Sequence, residues 1–242
     1  MNARAQVLLA LAGVVGVAAA LPVWLPLDAR FAVKALLIGA AASTLAWPWL
    51  RAREAASGLG AANQITLLRA ALVVLVAAML GEPPARALAW AVVVLASVAA
   101  VLDGVDGWVA RRSNTATPGG ARLDMETDAV MILVLALLAW QWGKAGAWVL
   151  LAGLARYGFV AAALALAWLR RPLPPSRRRR VVCVVQTVAL IACATPVIAY
   201  PASALLAAAG LTALGASFAI DIHWLARRPH AAPTAEYAHD RS

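Results

Sequence analysis

Long apolar runs separated by short polar segments dominate the pattern along this chain. A helix that crosses a bilayer needs about 20 residues that are mostly apolar. Eight stretches have a suitable length: residues 6 to 27, 31 to 50, 65 to 81, 86 to 103, 123 to 142, 145 to 168, 181 to 199 and 202 to 222. They lack the alternation of apolar and polar positions that is typical of strands. The pattern therefore predicts an all-α, polytopic membrane helix bundle.

Composition and charge agree with a membrane location. Hydrophobic residues make up 64% of the chain and charged residues 13%, outside the usual balance of a soluble domain. The formal net charge is +10, but the basic residues lie in short blocks between apolar segments, as the positive-inside rule expects. We therefore expect no nucleic-acid partner, a cytoplasmic amino terminus and a location in the inner (cytoplasmic) membrane. Alternatively, the first stretch is a cleaved signal peptide, since Arg4 precedes an apolar run that ends in small residues.

A polar segment, RAREAASGLGAANQ, divides two leading helices from the six that follow. We predict three parts: a pair of transmembrane helices in residues 1–59, a core in residues 60–225, and a disordered cytoplasmic tail in residues 226–242. Cys183 and Cys193 belong to one predicted helix, and ten residues of helix separate them by about 15 Å, too far for a disulfide.

The acidic residues concentrate in DGVDGWVARRSNTATPGGARLDMETD, residues 103 to 128. On helices, Asp103 shares a face with Asp106, and Asp124 shares a face with Asp128. Two antiparallel helices joined by the intervening loop would bring these faces together in a partly desolvated cleft. Unpaired charges there would be strongly unfavourable. Hard divalent cations prefer carboxylate oxygens, so the cluster predicts a divalent-metal site.

Residues 103 to 128 resemble the signature of the CDP-alcohol phosphatidyltransferase family, D-x2-D-G-x2-A-R-x8-G-x3-D-x3-D, at every fixed position. Upstream, Asn63, Thr66 and Arg69 in NQITLLR are similar to residues that often open the first core helix of the family. The resemblance covers roughly residues 60 to 222. It implies a six-helix phosphatidyltransferase core, to which the two leading helices are an addition.

The resemblance also implies an activity, which is transfer of the phosphatidyl group from CDP-diacylglycerol to the hydroxyl of a small polar acceptor with release of CMP. It implies a homodimer, a site that holds Mg²⁺ or Mn²⁺, with two metal ions, and Asp128 as general base. The implied metal ligands are Asp103, Asp106, Asp124 and Asp128, and the implied contacts to the cytidine diphosphate are Gly107, Ala110, Arg111, Thr117, Asn63 and Thr66.

The acceptor is less specified by the sequence. Arg156 is read as the one base left inside a predicted span, a position that usually marks a functional path. Because arginine suits phosphate oxygens, Arg156, Arg177 and Arg180 are candidate contacts to an acceptor phosphate, which favours glycerol 3-phosphate or inositol phosphate, and we take glycerol 3-phosphate as the first candidate. The alternatives are inositol phosphate, serine or another alcohol, since RRRRVVCVVQ departs from the lysine- and threonine-bearing pattern of many relatives. An intramembrane prenyltransferase and a cation transporter are remoter alternatives, and neither explains the G-x2-A-R element.

Overall fold

The structure is a computed structural model that describes residues 3–28, 30–51, 61–113, 118–171, 173–174 and 176–227. The side chains of residues 49–51, 61–62, 106–113, 118 and 167 lie outside that description. Thr117, most of the predicted tail and most of the polar segment between the leading pair and the core also lie outside the described residues. The division of the chain into three parts stays a prediction.

Within the described residues the chain is helical and has no strand, which confirms the all-α prediction. Eight α-helices follow one another: α1 (Ala3–Ala20), α2 (Phe31–Arg51), α3 (Ala61–Ala78), α4 (Arg86–Ser113), α5 (Pro118–Gln141), α6 (Leu150–Ala165), α7 (Arg177–Ala194) and α8 (Ala202–Ala226). Each corresponds to one of the apolar runs in the sequence.

Five helical segments in the described part of the chain are long and apolar enough to cross a membrane: Ala3–Val23, Phe31–Pro48, Arg86–Val105, Ala147–Ala165 and Ala202–Ala226. Helices α3, α5 and α7, which correspond to the other three predicted spans, are not long and apolar enough to meet these criteria. The apolar part of α3 is short, α5 carries several acidic residues, and α7 begins with four arginines. Charged residues or a short apolar length thus weaken these three helices as spans, and all three contribute to the site described below.

Helix α3 lies at the centre of the packing, since it contacts α1, α2, α4 and α5. Helix α7 contacts α4, α5 and α8. A continuous apolar core runs between these elements and includes the fully buried side chains of Val76, Leu135 and Leu190. The α1–α2 pair adds Ala18 and Phe31 to the same core, so it packs against the later helices through buried apolar surface.

A polar network fixes one end of the α1–α2 pair to the core. Lys34 in α2 forms an ion pair with the buried Glu82, and its Nζ donates a hydrogen bond to the Leu80 carbonyl oxygen at 3.2 Å. Gln141, at the end of α5, donates to the Glu82 carbonyl oxygen at 2.7 Å and accepts from the Gly81 N–H at 2.9 Å. Gly81 has a φ of 83°, which glycine adopts at low cost. This end of the bundle is therefore held closed between α2, α5 and the α3–α4 turn.

At the other end, α4 finishes at Ser113 and α5 begins at Pro118. The sequence pattern predicts that these two helices face each other directly. In the described residues they share at most isolated close backbone contacts, whereas α3 and α7 each contact both. Helices α4 and α5 therefore form two sides of a cleft whose remaining sides are α3 and α7.

Candidate active site

Three of the four aspartates singled out in the sequence lie together in this cleft. Asp103 extends from α4, and Asp124 and Asp128 extend from successive turns of α5. One carboxylate oxygen of each lies within 4.8 Å of the others. The side chains are 27%, 38% and 32% exposed, so water reaches them. The side chain of Asp106, one helical turn beyond Asp103, is outside the described part of the structure.

The guanidinium of Arg69 contacts all three carboxylates. Its Nη2 lies 2.8 Å from Oδ1 of Asp103 and also pairs with Asp128, while its Nη1 pairs with Asp124. The Arg69 side chain is only 3% exposed, and its planar fork of donors suits several carboxylates at once. Three carboxylates and one guanidinium leave a formal charge of −2. Arg69 thus compensates part of the negative charge of the cluster.

Sequence reasoning missed this role of Arg69. Arg156 was taken as the one base inside a span, although Arg69 lies within the predicted stretch 65 to 81. The structure buries the side chain of Arg69 almost completely, as expected of a base that faces the interior of a helix bundle. An arginine inside an apolar helix usually pairs with an acidic group, and that rule would have pointed to the aspartates.

The carboxylate cluster fits a divalent cation. It offers three carboxylate oxygens, the donors that Mg²⁺ and Mn²⁺ prefer, at mutual distances that a single ion can bridge. The residual formal charge of −2 equals the charge that one such ion neutralises. The donor set does not distinguish Mg²⁺ from Mn²⁺.

A small cavity of about 50 Å³ adjoins the carboxylates and is bordered by α3, α4, α5 and α7. Arg69, Asp103 and Asp128 form its polar side. Cys183 and Val184 contribute to its apolar side from α7. Cys183 is one of the positions at which the sequence departs from the pattern of many relatives, so that departure falls on a wall of the site. Both cysteines of the chain are free, as their spacing predicted.

The residues proposed from the resemblance for the cytidine diphosphate lie on two helices. The backbone of α4 is helical through Ser113, so Gly107, Ala110 and Arg111 occupy the next two turns beyond the aspartates, but their side chains are outside the described part. On α3, Asn63 and Thr66 are buried and precede Arg69 at intervals of three residues. Their roles in nucleotide binding stay predictions.

The four arginines that open α7 divide into two pairs. Arg178 donates through Nη1 to the carbonyl and hydroxyl oxygens of Ser217, both at 2.7 Å, and through Nη2 to Asp221 at 2.5 Å. Arg179 also lies 3.5 Å from Asp221. These two arginines therefore tie α7 to α8.

Arg177 and Arg180 are exposed and make no hydrogen bond or ion pair within the described residues. Arg180 precedes Cys183 and Val184 by three and four residues, a spacing that places them on one helix face. Because both of these residues line the small cavity, Arg180 lies one turn beyond it toward the start of α7.

Arg156 has a different partner. Its Nη2 lies 2.5 Å from Oε1 of Glu126, a residue that the sequence analysis did not single out. Glu126 is two residues from both Asp124 and Asp128 on α5, which places it about 200° around the helix from them. The structure therefore separates Arg156 from the carboxylate cluster, and its contact to an acceptor stays a prediction.

Comparison with known proteins adds one finding. Residues 59–218 match the model of the family described as CDP-alcohol phosphatidyltransferase. The match covers more than half of the chain, includes α3 to α7 and most of α8, and leaves out α1 and α2. No curated protein and no solved structure matches the chain. Together with the five apolar helices, the family identifies an integral membrane protein.

Proposed function

Because the chain belongs to the CDP-alcohol phosphatidyltransferase family, we propose that it transfers the phosphatidyl group of CDP-diacylglycerol to glycerol 3-phosphate and releases CMP. The family, which confirms the resemblance seen in the sequence, supports transfer from a CDP-linked donor to an alcohol. The observation that carries the proposal is the convergence of Asp103, Asp124 and Asp128 in a cleft of a membrane helix bundle. The family gives no support to the prenyltransferase and cation-transporter alternatives.

In the proposed reaction, the acceptor oxygen bonds to the phosphorus that bears the diacylglycerol, and the bond from that phosphorus to the CMP oxygen breaks. Asp128 takes the proton of the acceptor hydroxyl. Asp103, Asp106, Asp124 and Asp128 would hold Mg²⁺ or Mn²⁺, which when bound offsets the charge of the diphosphate and stabilises the CMP leaving group. Arg69 holds the carboxylates of three of these aspartates in fixed positions.

The donor headgroup would lie along α4 and the start of α3. Small residues on α4 leave room for the nucleotide to approach the helix backbone, and an arginine can grip a phosphate. The proposed contacts to the cytidine diphosphate are Gly107, Ala110, Arg111, Thr117, Asn63 and Thr66. With this headgroup in the cleft, the acyl chains of the donor can remain in the bilayer.

We further propose that this end of the bundle faces the cytoplasm from the inner membrane and that the protein is a homodimer. The block of arginines at the start of α7 supports the orientation, because cytoplasmic ends of spans carry an excess of basic residues. The homodimer rests on the family alone.

A phosphorylated acceptor is supported by the arginines of α7. Arg177 and Arg180 have no partner within the described residues, and Arg180 shares a helix face with the wall of the small cavity. A phosphate bound by these guanidinium groups would place the rest of the acceptor near the carboxylates. The ion pair of Arg156 with Glu126 makes Arg156 the weaker candidate for this contact.

The test is a comparison of acceptors with purified protein. CMP release from CDP-diacylglycerol would be measured with Mg²⁺ and, separately, glycerol 3-phosphate, inositol phosphate, inositol, serine and choline. We expect release with glycerol 3-phosphate and loss of release when a chelator is added. CMP release with serine alone would show that the proposed acceptor is wrong and the proposed donor is right. No release with any acceptor would show that the proposed donor is wrong.

A further inference from the structure

The α1–α2 pair, which the family match leaves out, encloses a second cavity against the core. This cavity has a volume of about 560 Å³ and lies between α1, α2, α3 and α5, with Tyr157 of α6 at its edge. Its lining is mostly apolar and includes Leu11, Val74 and Ala77. The ion-paired Glu126 also lines it, so its edge near α6 carries charged groups.

The cavity is closed at one end and open at its side. Helices α2 and α5 contact each other, and the network of Lys34, Glu82 and Gln141 holds them together at the closed end. Toward the other end, two lining residues are open to the surroundings, since Leu45 of α2 is 72% exposed and Tyr157 of α6 is 36% exposed. From these two exposed side chains we infer that the cavity opens between α2 and α6, on the side that would face the bilayer.

The dimensions of the cavity match one lipid chain. Along α3 the lining runs from Leu67 to Ala77, which is about 15 Å of helix and about half of the roughly 30 Å hydrocarbon thickness. An apolar cavity of about 150 Å³ holds the six carbons of benzene, so a cavity of this volume holds on the order of 20 carbons. A helix of about 10 Å diameter would need on the order of 1,200 Å³ over the same length, so a helix of a second copy does not fit.

We propose that an acyl chain of a resident bilayer phospholipid, distinct from the lipid substrate, fills this cavity and joins the α1–α2 pair to the core. Helices α3 and α5 pack against each other, and Val73 and Thr127 line both this cavity and the small cavity beside the carboxylates, so these two side chains form the partition between them. A lipid that enters between α2 and α6 has its headgroup beside Arg156 and Glu126, on the opposite side of α5 from Asp124 and Asp128. The inference does not depend on the proposed reaction.

Photochemical labelling tests the proposal. The protein would be placed in nanodiscs of phosphatidylethanolamine and phosphatidylglycerol that contain phosphatidylethanolamine with a diazirine on its acyl chain. After illumination, we expect adducts on Val74 and Ala77, which are each 7% exposed and are shielded from lipid outside the bundle. Adducts confined to outward-facing residues such as Leu8 and Leu37 would overturn the proposal. A parallel sample would contain CDP-diacylglycerol with a diazirine on its acyl chain. If this lipid alone labelled the interior residues, the cavity would hold the substrate lipid, and the proposal of a resident phospholipid would be wrong.

A matched pair of variants on α1 provides the control. Ala10 lines the cavity, whereas Ala12 lies on the exposed face of the same helix. We expect Ala10→Phe to reduce labelling of Val74 several-fold and Ala12→Phe to leave it unchanged. Ala71→Phe, on the α3 wall, should act like Ala10→Phe, and monodisperse elution of each variant would show that it folds. Equal labelling of Val74 in all three folded variants would refute the proposal.

Discussion

The contacts of Arg69 predict two separate effects of removing its guanidinium. Arg69→Gln keeps a polar side chain of moderate length and removes the charge that contacts the three carboxylates. Removing one partner of a buried ion pair typically costs about 3–5 kcal/mol, because the other charge is left uncompensated. Arg69 is 3% exposed, but its partners are 27% to 38% exposed, and water can therefore solvate part of the released charge. We expect a loss of stability near the lower limit, about 3 kcal/mol.

The second effect concerns metal binding. The formal charge of the described cluster changes from −2 to −3 in this variant, and a divalent cation no longer meets a neighbouring guanidinium. Two unit charges about 4 Å apart interact by about 1 kcal/mol even in water, so relief of the repulsion between a guanidinium and a divalent ion contributes about 2 kcal/mol. Since about 1.4 kcal/mol corresponds to a factor of ten, Mn²⁺ should bind the variant more than tenfold more tightly.

The assay combines thermal unfolding with a direct measurement of bound Mn²⁺. In chelator, Arg69→Gln should unfold at a lower temperature than the parent, and saturating Mn²⁺ should reduce the difference. Electron paramagnetic resonance of free Mn²⁺ gives the affinity independently of turnover. Arg69→Lys keeps the charge and is the control, with an affinity close to that of the parent. If Arg69→Gln unfolded like the parent in chelator, or bound Mn²⁺ no more tightly, the assigned role of Arg69 would be wrong.

Three further substitutions test the site and the packing around it. Asp128→Asn should abolish turnover and leave CDP binding largely intact, because it removes the proposed base; near-normal CMP release would refute that role. Arg180→Ala should raise KM for glycerol 3-phosphate more than KM for the donor. It should also raise KM for glycerol 3-phosphate more than Arg156→Ala does, because Arg156 is already ion-paired with Glu126. Equal changes in the KM values for the acceptor and the donor would contradict the acceptor contact. Gly153→Val should destabilise the α5–α6 packing by about 1–3 kcal/mol or more, since a Cβ there lies 2.5 Å from the backbone of Leu133; an unchanged unfolding temperature would disprove this.

The helical class and the acidic cluster follow from local patterns. Long apolar runs without alternation specify helices, and the three- and four-residue spacing of the aspartates specifies which of them share a face. These patterns depend only on residues close in the sequence. The convergence of Asp103 with Asp124 was therefore foreseeable once their two helices were expected to meet at one end of the bundle.

The partners of the charged groups were harder to foresee. Arg69 pairs with Asp124 across 55 positions, and Arg156 pairs with Glu126 across 30 positions. Such pairs depend on which helices become neighbours. A direct contact of α4 with α5 was expected, and that arrangement does not include α3, which carries Arg69, between them. Glu126 lies in the acidic stretch that the sequence analysis emphasised, but its position on the opposite side of α5 separates it from the aspartates.

The distribution of charge explains why three of the predicted spans are weaker than the other five. Helix α3 carries Arg69, α5 carries Asp124 and Asp128, and α7 begins with four arginines. Each of these helices therefore lacks a long uncharged stretch. Charged groups within apolar surroundings are tolerated when they face the bundle interior and pair with one another. Arg69 meets this condition with the aspartates, and Arg178 meets it with Asp221 between α7 and α8. The loss of apolar length in these helices is therefore a consequence of building a charged cleft inside the bundle.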